Sequence, residues 1–156
     1  MKKSILVPAL FTFLLLFFFS CRNDDDNAQS ALIGKWQPYK MTQAATLSTG
    51  PVNYTTNFTE CQQKTRISFN DETNGNSTVY GEEGGVCVQQ ENSNFTYTYN
   101  SSTGALVIDP ANAEAQSGVV KTLTGSDLVY EMKGTYDFEG ETVEVTTTFY
   151  TRKTNN

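Results

Sequence analysis

Few side chains in this sequence could do covalent or metal chemistry. No histidine occurs anywhere, which removes His-based metal sites and the Ser-His and Cys-His nucleophile pairs. The three cysteines, Cys21, Cys61 and Cys87, are too far apart for a C-x-x-C redox motif. The carboxylates Glu82, Glu83, Glu91, Glu131, Glu139, Glu141 and Glu144 are more numerous. A glycosidase needs two carboxyl groups at a defined separation across a sugar site, whereas these fall in turns or on the polar sides of strands. Glu131 and Glu144 read as solvated strand residues rather than a catalytic dyad. Asp24, Asp25 and Asp26 are contiguous, not alternating as in a calcium loop. Gly81, Gly84 and Gly85 lie between strands with no helix to follow, so they make no phosphate loop. The expectation is a non-enzyme with no catalytic residue, no cofactor and no bound metal.

Cys21 carries different chemistry. Lys2 and Lys3 precede an apolar run from Ile5 to Phe19, short for a spanning helix, which needs about 20 residues, and suited to a signal-peptide core. The run ends at Ser20-Cys21, where a small residue before a cysteine resembles the bacterial lipoprotein processing box. That resemblance implies a diacylglycerol on the Cys21 thiol, cleavage after Ser20, and acylation of the new amino group by a palmitate-type chain. Two or three acyl chains anchor firmly, where one is marginal. Phe18 and Phe19 depart from the usual residues of the box. The expected division is a signal peptide over 1–20, a lipidated acidic tether over 21–31, and a folded domain over 32–153. Arg22-Asn23-Asp24-Asp25-Asp26 must be solvated, because three adjacent carboxylates cannot pack. The cluster also resembles the acidic signal that sends Bacteroidetes lipoproteins to the outer face of the outer membrane, with the periplasmic face as the alternative.

Charge and cysteine usage bound the partners. With 11 Lys and Arg against 17 Asp and Glu and a formal net charge of -6, a basic nucleic-acid-binding face is not expected. Once Cys21 is lipidated, Cys61 and Cys87 form an even pair in an oxidising compartment, which reads as a disulfide. Such a bond closes a loop of 26 residues, worth roughly 3 to 4 kcal/mol by loop entropy. Two free buried thiols are the alternative.

The elements that must position these groups are strands. Of the 156 residues, those after the tether are rich in Thr, Tyr, Phe and Val, and 11 Gly supply turns. Leu32 to Gln37 opens the first strand, with Trp36 the only tryptophan. Gln43 to Thr59 is polar and without clear period, and is expected as a long loop. Ile67 and Phe69 share a face; Asn74-Gly75 is expected as a hairpin turn, and Glu82 to Gly85 as another. Phe95, Tyr97 and Tyr99 alternate with Thr96 and Thr98, the period of a half-buried strand. Leu128, Tyr130 and Met132 line up, as do Val143, Val145, Thr147 and Phe149. Asp109 to Gly118 and Gly134 to Gly140 are expected as connections. Eight or nine short antiparallel strands in one flat sheet would expose long edges, so a closed barrel or a two-sheet sandwich is expected, as one monomeric domain.

Gly34-Lys35-Trp36, Ile67-Ser68-Phe69-Asn70, the pair Cys61 and Cys87, Leu123 to Tyr130 and the closing Phe149-Tyr150-Thr151-Arg152 together resemble the lipocalin-like domain of small Bacteroidetes lipoproteins. The resemblance implies a single antiparallel up-and-down β-barrel of about eight strands. It makes Gly34 and Trp36 the barrel floor, with Arg152 packed over the tryptophan, and opens the other end to a small hydrophobic ligand. No helix-forming segment follows the last strand, unlike a lipocalin proper. Phe58, Phe69, Phe95, Tyr97, Tyr99, Tyr130 and Phe149 are the candidates to line a cavity, or equally to fill the barrel, since eight strands permit either. Two functions follow as expectations. One is a lipid-anchored outer-membrane protein binding a small apolar or amphipathic molecule; the other is a cell-surface structural or interaction module with a filled barrel.

Overall fold

A computed structural model describes residues 31–138 and 140–155. Cys21, the signal segment and nearly all of the tether lie outside the described residues, and so does Glu139. Nine strands follow one another: β1 (Gly34–Leu47), β2 (Gly50–Asn57), β3 (Arg66–Phe69), β4 (Asn74–Glu83), β5 (Val86–Tyr99), β6 (Ala105–Pro110), β7 (Gln116–Leu123), β8 (Asp127–Phe138) and β9 (Glu141–Thr154). All pairings are antiparallel, and β9 returns to pair with β1 from Lys35↔Thr154 to Ala45↔Val145. That pairing closes the sheet. On its other edge β1 carries β3 opposite residues 34–36 and β2 opposite residues 40–47. β2 and β3 are therefore two pieces of one stave, and the barrel has eight staves. The expected up-and-down barrel is borne out, and the sandwich is set aside.

The closed end is packed solid. Trp36, Leu32, Leu106 and Leu128 are fully buried, with Phe69, Tyr97 and Tyr130 almost so. The Trp36 Nε1–H donates to the Leu32 carbonyl at 2.8 Å, which removes the cost of burying an unpaired indole N–H. Phe69 meets Tyr97 edge-to-face at 4.8 Å between centroids and Phe95 at 5.6 Å, the geometry aromatic quadrupoles prefer. Gly34 has φ +141°, and the Lys153 side chain crosses the space its Cβ would take. Lys153 Nζ then reaches 5.2 Å from the centroid of the Trp36 ring system.

Arg152 was the residue expected there, and the structure differs. Arg152 pairs with Gln37 and Lys153 with Trp36. Because side chains alternate faces along a strand, the one-residue offset sends Arg152 outwards. Its guanidinium carbon lies 4.5 Å above the Tyr39 ring.

Three expected connections are strand instead. Gln43 to Thr59 holds the end of β1, a two-residue turn and all of β2. These strands project past the barrel wall and are solvated on one face, so a polar Thr-rich sequence serves them. Asn74-Gly75 is the start of β4 and not a turn. Its glycine is needed because the Phe95 ring lies where a Cβ would stand. The turn is one step earlier, where the Asp71 carboxylate accepts the Thr73 and Asn74 amides at 2.8 Å each. Those donors hold its pKa below the ordinary carboxylate value. Most of Gly134 to Gly140 likewise continues β8, and Asp109 to Gly118 loses its ends to β6 and β7.

If the floor is the stabilising core, Trp36→Ala removes its largest member. The expected loss is about 3–5 kcal/mol, read as a lower urea midpoint with an unchanged slope. A loss under about 1 kcal/mol would mean that the floor is not the core.

Candidate functional site

Strand lengths shape the open end. β1 and β9 run 14 residues each and β8 runs 12, whereas β6 has only 6. Two flaps therefore rise above the wall: the sheet β2-β1-β9-β8 and the ribbon of β4 with β5. β3 stops pairing with β4 at Thr78, and β2 has no partner on its outer edge among the described residues. Residues 58–65 cover this gap in the wall.

That segment is tied down from several sides. Cys61 and Cys87 form a disulfide, with an S–S distance of 2.07 Å and Cα atoms 5.4 Å apart. The expected pairing is present, linking the segment to the β4–β5 ribbon. The Gln63 carbonyl accepts from Gln37 Nε2 at 2.6 Å and from Arg66 Nη1 at 2.8 Å. Thr59 and Gln62 exchange backbone–side-chain hydrogen bonds, the Thr59 amide to Gln62 Oε1 and the Gln62 amide to Thr59 Oγ1. Thr65 Oγ1 accepts the Tyr80 amide at 3.1 Å, which carries the wall across to β4.

Inside the mouth lies a cavity of about 520 Å³ lined by residues of every described strand except β2. Its lower surface is apolar: Phe95, Tyr130, Phe149, Ile67 and Ile108. Tyr130 and Phe149 stack there with centroids 5.1 Å apart. Phe58 and Val79 form part of the sides, while Thr65, Ser77, Gln62, Gln90, Gln116, Ser93 and Glu91 supply polar groups. Cavities of 300–1,000 Å³ with an apolar lining and a few polar groups are the usual form of a small-molecule site.

The seven expected lining residues divide between floor and cavity. Phe58, Phe95, Tyr130 and Phe149 border the cavity. Phe69 and Tyr97 are buried in the floor, and Tyr99 packs against that cluster. Ile67, Val79, Tyr80 and Ile108 also line the cavity but were not among the expected residues; the alternation of β3 marked Ile67 as sharing a face with Phe69. Burial pushes the Tyr130 hydroxyl above the ordinary tyrosine value. Tyr97 is pushed up to about 12, first by burial and then by the charges of Asp71 and Glu72. Its hydroxyl donates to the Asp71 backbone carbonyl.

A second depression, about 300 Å³, lies on the inner side of the tall flap between Ala45, Leu47, Val52, Tyr54, Tyr136, Val143 and Val145. Tyr54 and Tyr136 are 62% and 51% exposed. Among the described residues no group of three or more His, Cys, Asp or Glu is placed to hold a metal.

The family model of the lipocalin-like domain matches residues 32–130, from just before β1 to Tyr130 in β8. A solved structure of bovine odorant binding protein, a deswapped triple mutant, is 18% identical over 81% of this chain and 76% of its own, with a TM-score of 0.42. The search of the curated proteins found no match.

The buried tyrosines generate a pH dependence. Raised folded-state values mean that the folded chain holds protons the unfolded chain has released, so stability is complete below pH 10 and falls as pH rises towards about 12. Urea midpoints are expected to decline between pH 10 and pH 12, and tyrosinate absorbance to appear in step with unfolding. A flat midpoint across this window would refute the burial of both hydroxyls.

Proposed function

The chain belongs to the lipocalin-like domain family, and from that premise we propose that it binds one small hydrophobic or amphipathic molecule, non-covalently, in the cavity at the barrel mouth. The observation that carries this reading is the cavity of about 520 Å³ above an independently packed floor. A ligand's apolar part would lie on Phe95, Tyr130 and Phe149, and its polar end would meet the glutamines and hydroxyls higher up. Hydrophobic contact supplies the affinity here, at roughly 25 cal/mol per Å² of apolar surface buried, and the polar groups set orientation. The Tyr130 hydroxyl, kept neutral by burial, would act as a hydrogen-bonding group and not as a base.

The same proposal includes a lipid anchor on Cys21, holding the domain at the outer membrane with its cell-surface face as the preferred side. The apolar run ending at Ser20-Cys21 and the acidic residues after it support this. The described chain begins at the floor end, beside Leu32 and Trp36.

One observation favours a second reading, an interaction module acting through its rim. Tyr54 and Tyr136 present exposed rings beside the shallow apolar depression of the tall flap.

Val79→Trp would fill the cavity from one side. A neutral naphthylamine dye that brightens in apolar surroundings is expected to bind the native protein and to lose at least tenfold in affinity for the variant, while the urea midpoint holds. Equal dye binding by both would move the site out of the mouth. For the anchor, Cys21→Ser is expected to shift the protein from the outer-membrane fraction to the soluble one; unchanged fractionation would remove the lipid from the account.

A further inference from the structure

We infer that the mouth cavity selects neutral or cationic amphiphiles and disfavours those with a carboxylate, sulfate or phosphate head. The inference rests on the ligand-binding reading above and specifies its ligand class.

β5 carries the relevant pattern. Phe95 faces inwards, and Ser93 and Glu91 follow it at two-residue steps up the same face, all three lining the cavity. The change from aromatic to hydroxyl to carboxylate along one strand places apolar surface below and a negative charge above. Ser93 Oγ donates to Glu91 Oε1 at 2.7 Å, which holds the carboxylate on the cavity side. Among the described residues Glu91 is the only charged one in the lining, which includes no lysine or arginine.

The surroundings reinforce this sign. The mouth turns and their flanks bring Glu82, Glu83, Glu114 and Glu141 to the same end, and no basic residue occurs in those turns. Lys64 is exposed between the lining residues Gln62 and Thr65 but is not itself in the lining, and five other cations on the outer wall are engaged elsewhere. Lys121 lies 3.4 Å from Glu131, and Lys133 lies 2.8 Å from Glu144. Lys40 sits over Tyr150 at 3.7 Å, and Arg152 over Tyr39. Arg66 donates to the carbonyls of Gln63 and Thr65.

An anionic head would therefore reach the rim against a negative potential and find no cation to pair with among the described residues of the cavity lining. Partial loss of its water there is unfavourable without a charged partner. A hydroxyl or amide head can use Gln62, Gln90 and Gln116, and an ammonium can pair with Glu91.

Three probes with the same tail, decylammonium, decanol and decanoate, test this by displacing the neutral dye from the full chain at pH 7 and low salt. Competition against the dye restricts the reading to the cavity. Decanoate is expected to bind about twofold to fivefold more weakly than decanol, and decylammonium at least as tightly as decanol, the scale of an exposed charge pair. Added salt should compress the differences. In Glu91→Gln, decylammonium should fall to the level of decanol. Decanoate equal to or tighter than decanol would overturn the charge selection and leave the cavity reading standing. An unchanged ranking in the variant would overturn the role of Glu91. Failure of the dye and of all three probes to bind would overturn the cavity reading, and the selectivity with it.

Discussion

Closure of the sheet through β1 and β9 is the constraint on which the rest of the structure depends. β1 is paired along most of both edges, with β9 on one side and with β3 and β2 on the other. Without the β9 pairing, two 14-residue strands would each present a row of unsatisfied backbone groups, open to water and to other chains. Closure also brings Lys153 opposite Trp36 and so completes the floor. The pairing must accommodate a register shift between Pro38 and Lys40. The extra residue, Tyr39, stands under Arg152 on the outer wall, so the irregularity is itself covered.

The two ends of the barrel then solve different problems. At the floor, side chains from many strands converge on Trp36, and burial of their apolar surface supplies most of the favourable free energy. At the mouth, long and short strands leave flaps, a gap in the wall and a cavity, none of which contributes comparable packing. The disulfide and the hydrogen bonds of residues 58–65 offset this locally. A bond closing a 26-residue loop contributes roughly 3–4 kcal/mol by restricting the unfolded chain. It does so with neither cysteine lining the cavity, and an open mouth requires stabilisation of that kind.

Legibility in the sequence followed the same division. Strands with one buried face announced themselves by period, as in Phe95-Thr96-Tyr97-Thr98-Tyr99 and Leu128 to Met132, and those faces are the ones observed. Gln43 to Thr59 did not, because strands in a flap are not held to a hydrophobic alternation and Thr and Asn satisfy them as well. Asn74-Gly75 misled for a different reason. Its glycine answers a requirement for space beneath Phe95 and not for a turn conformation, and only the fold brings that ring to it. The Arg152 assignment failed by one residue, which in a strand is the difference between inside and outside. Much of the cavity lining was out of reach for a related reason. Ile67, Val79 and Ile108 come from three strands whose common level in the barrel depends on register.

Strand number alone leaves an eight-stave barrel free to be filled or hollow; here the choice is made along individual strands. On β5 the inward residues descend from Glu91 through Ser93 to Phe95, Tyr97 and Tyr99. The lower rings fill their layer: Tyr97 is 2% exposed and touches Phe69 edge-on. One step above Phe95 the inward residue is Ser93, too small to cross the interior, and the next is a carboxylate held by that serine. On β9 the inward residue above Phe149 is Thr147, then Val145 and Val143. Aromatic bulk thus stops at one level on both strands, and the space above it is the cavity. Extending the aromatic series upwards would fill the barrel and strengthen the core. The small and polar residues placed there instead keep the upper interior open and give it a charge.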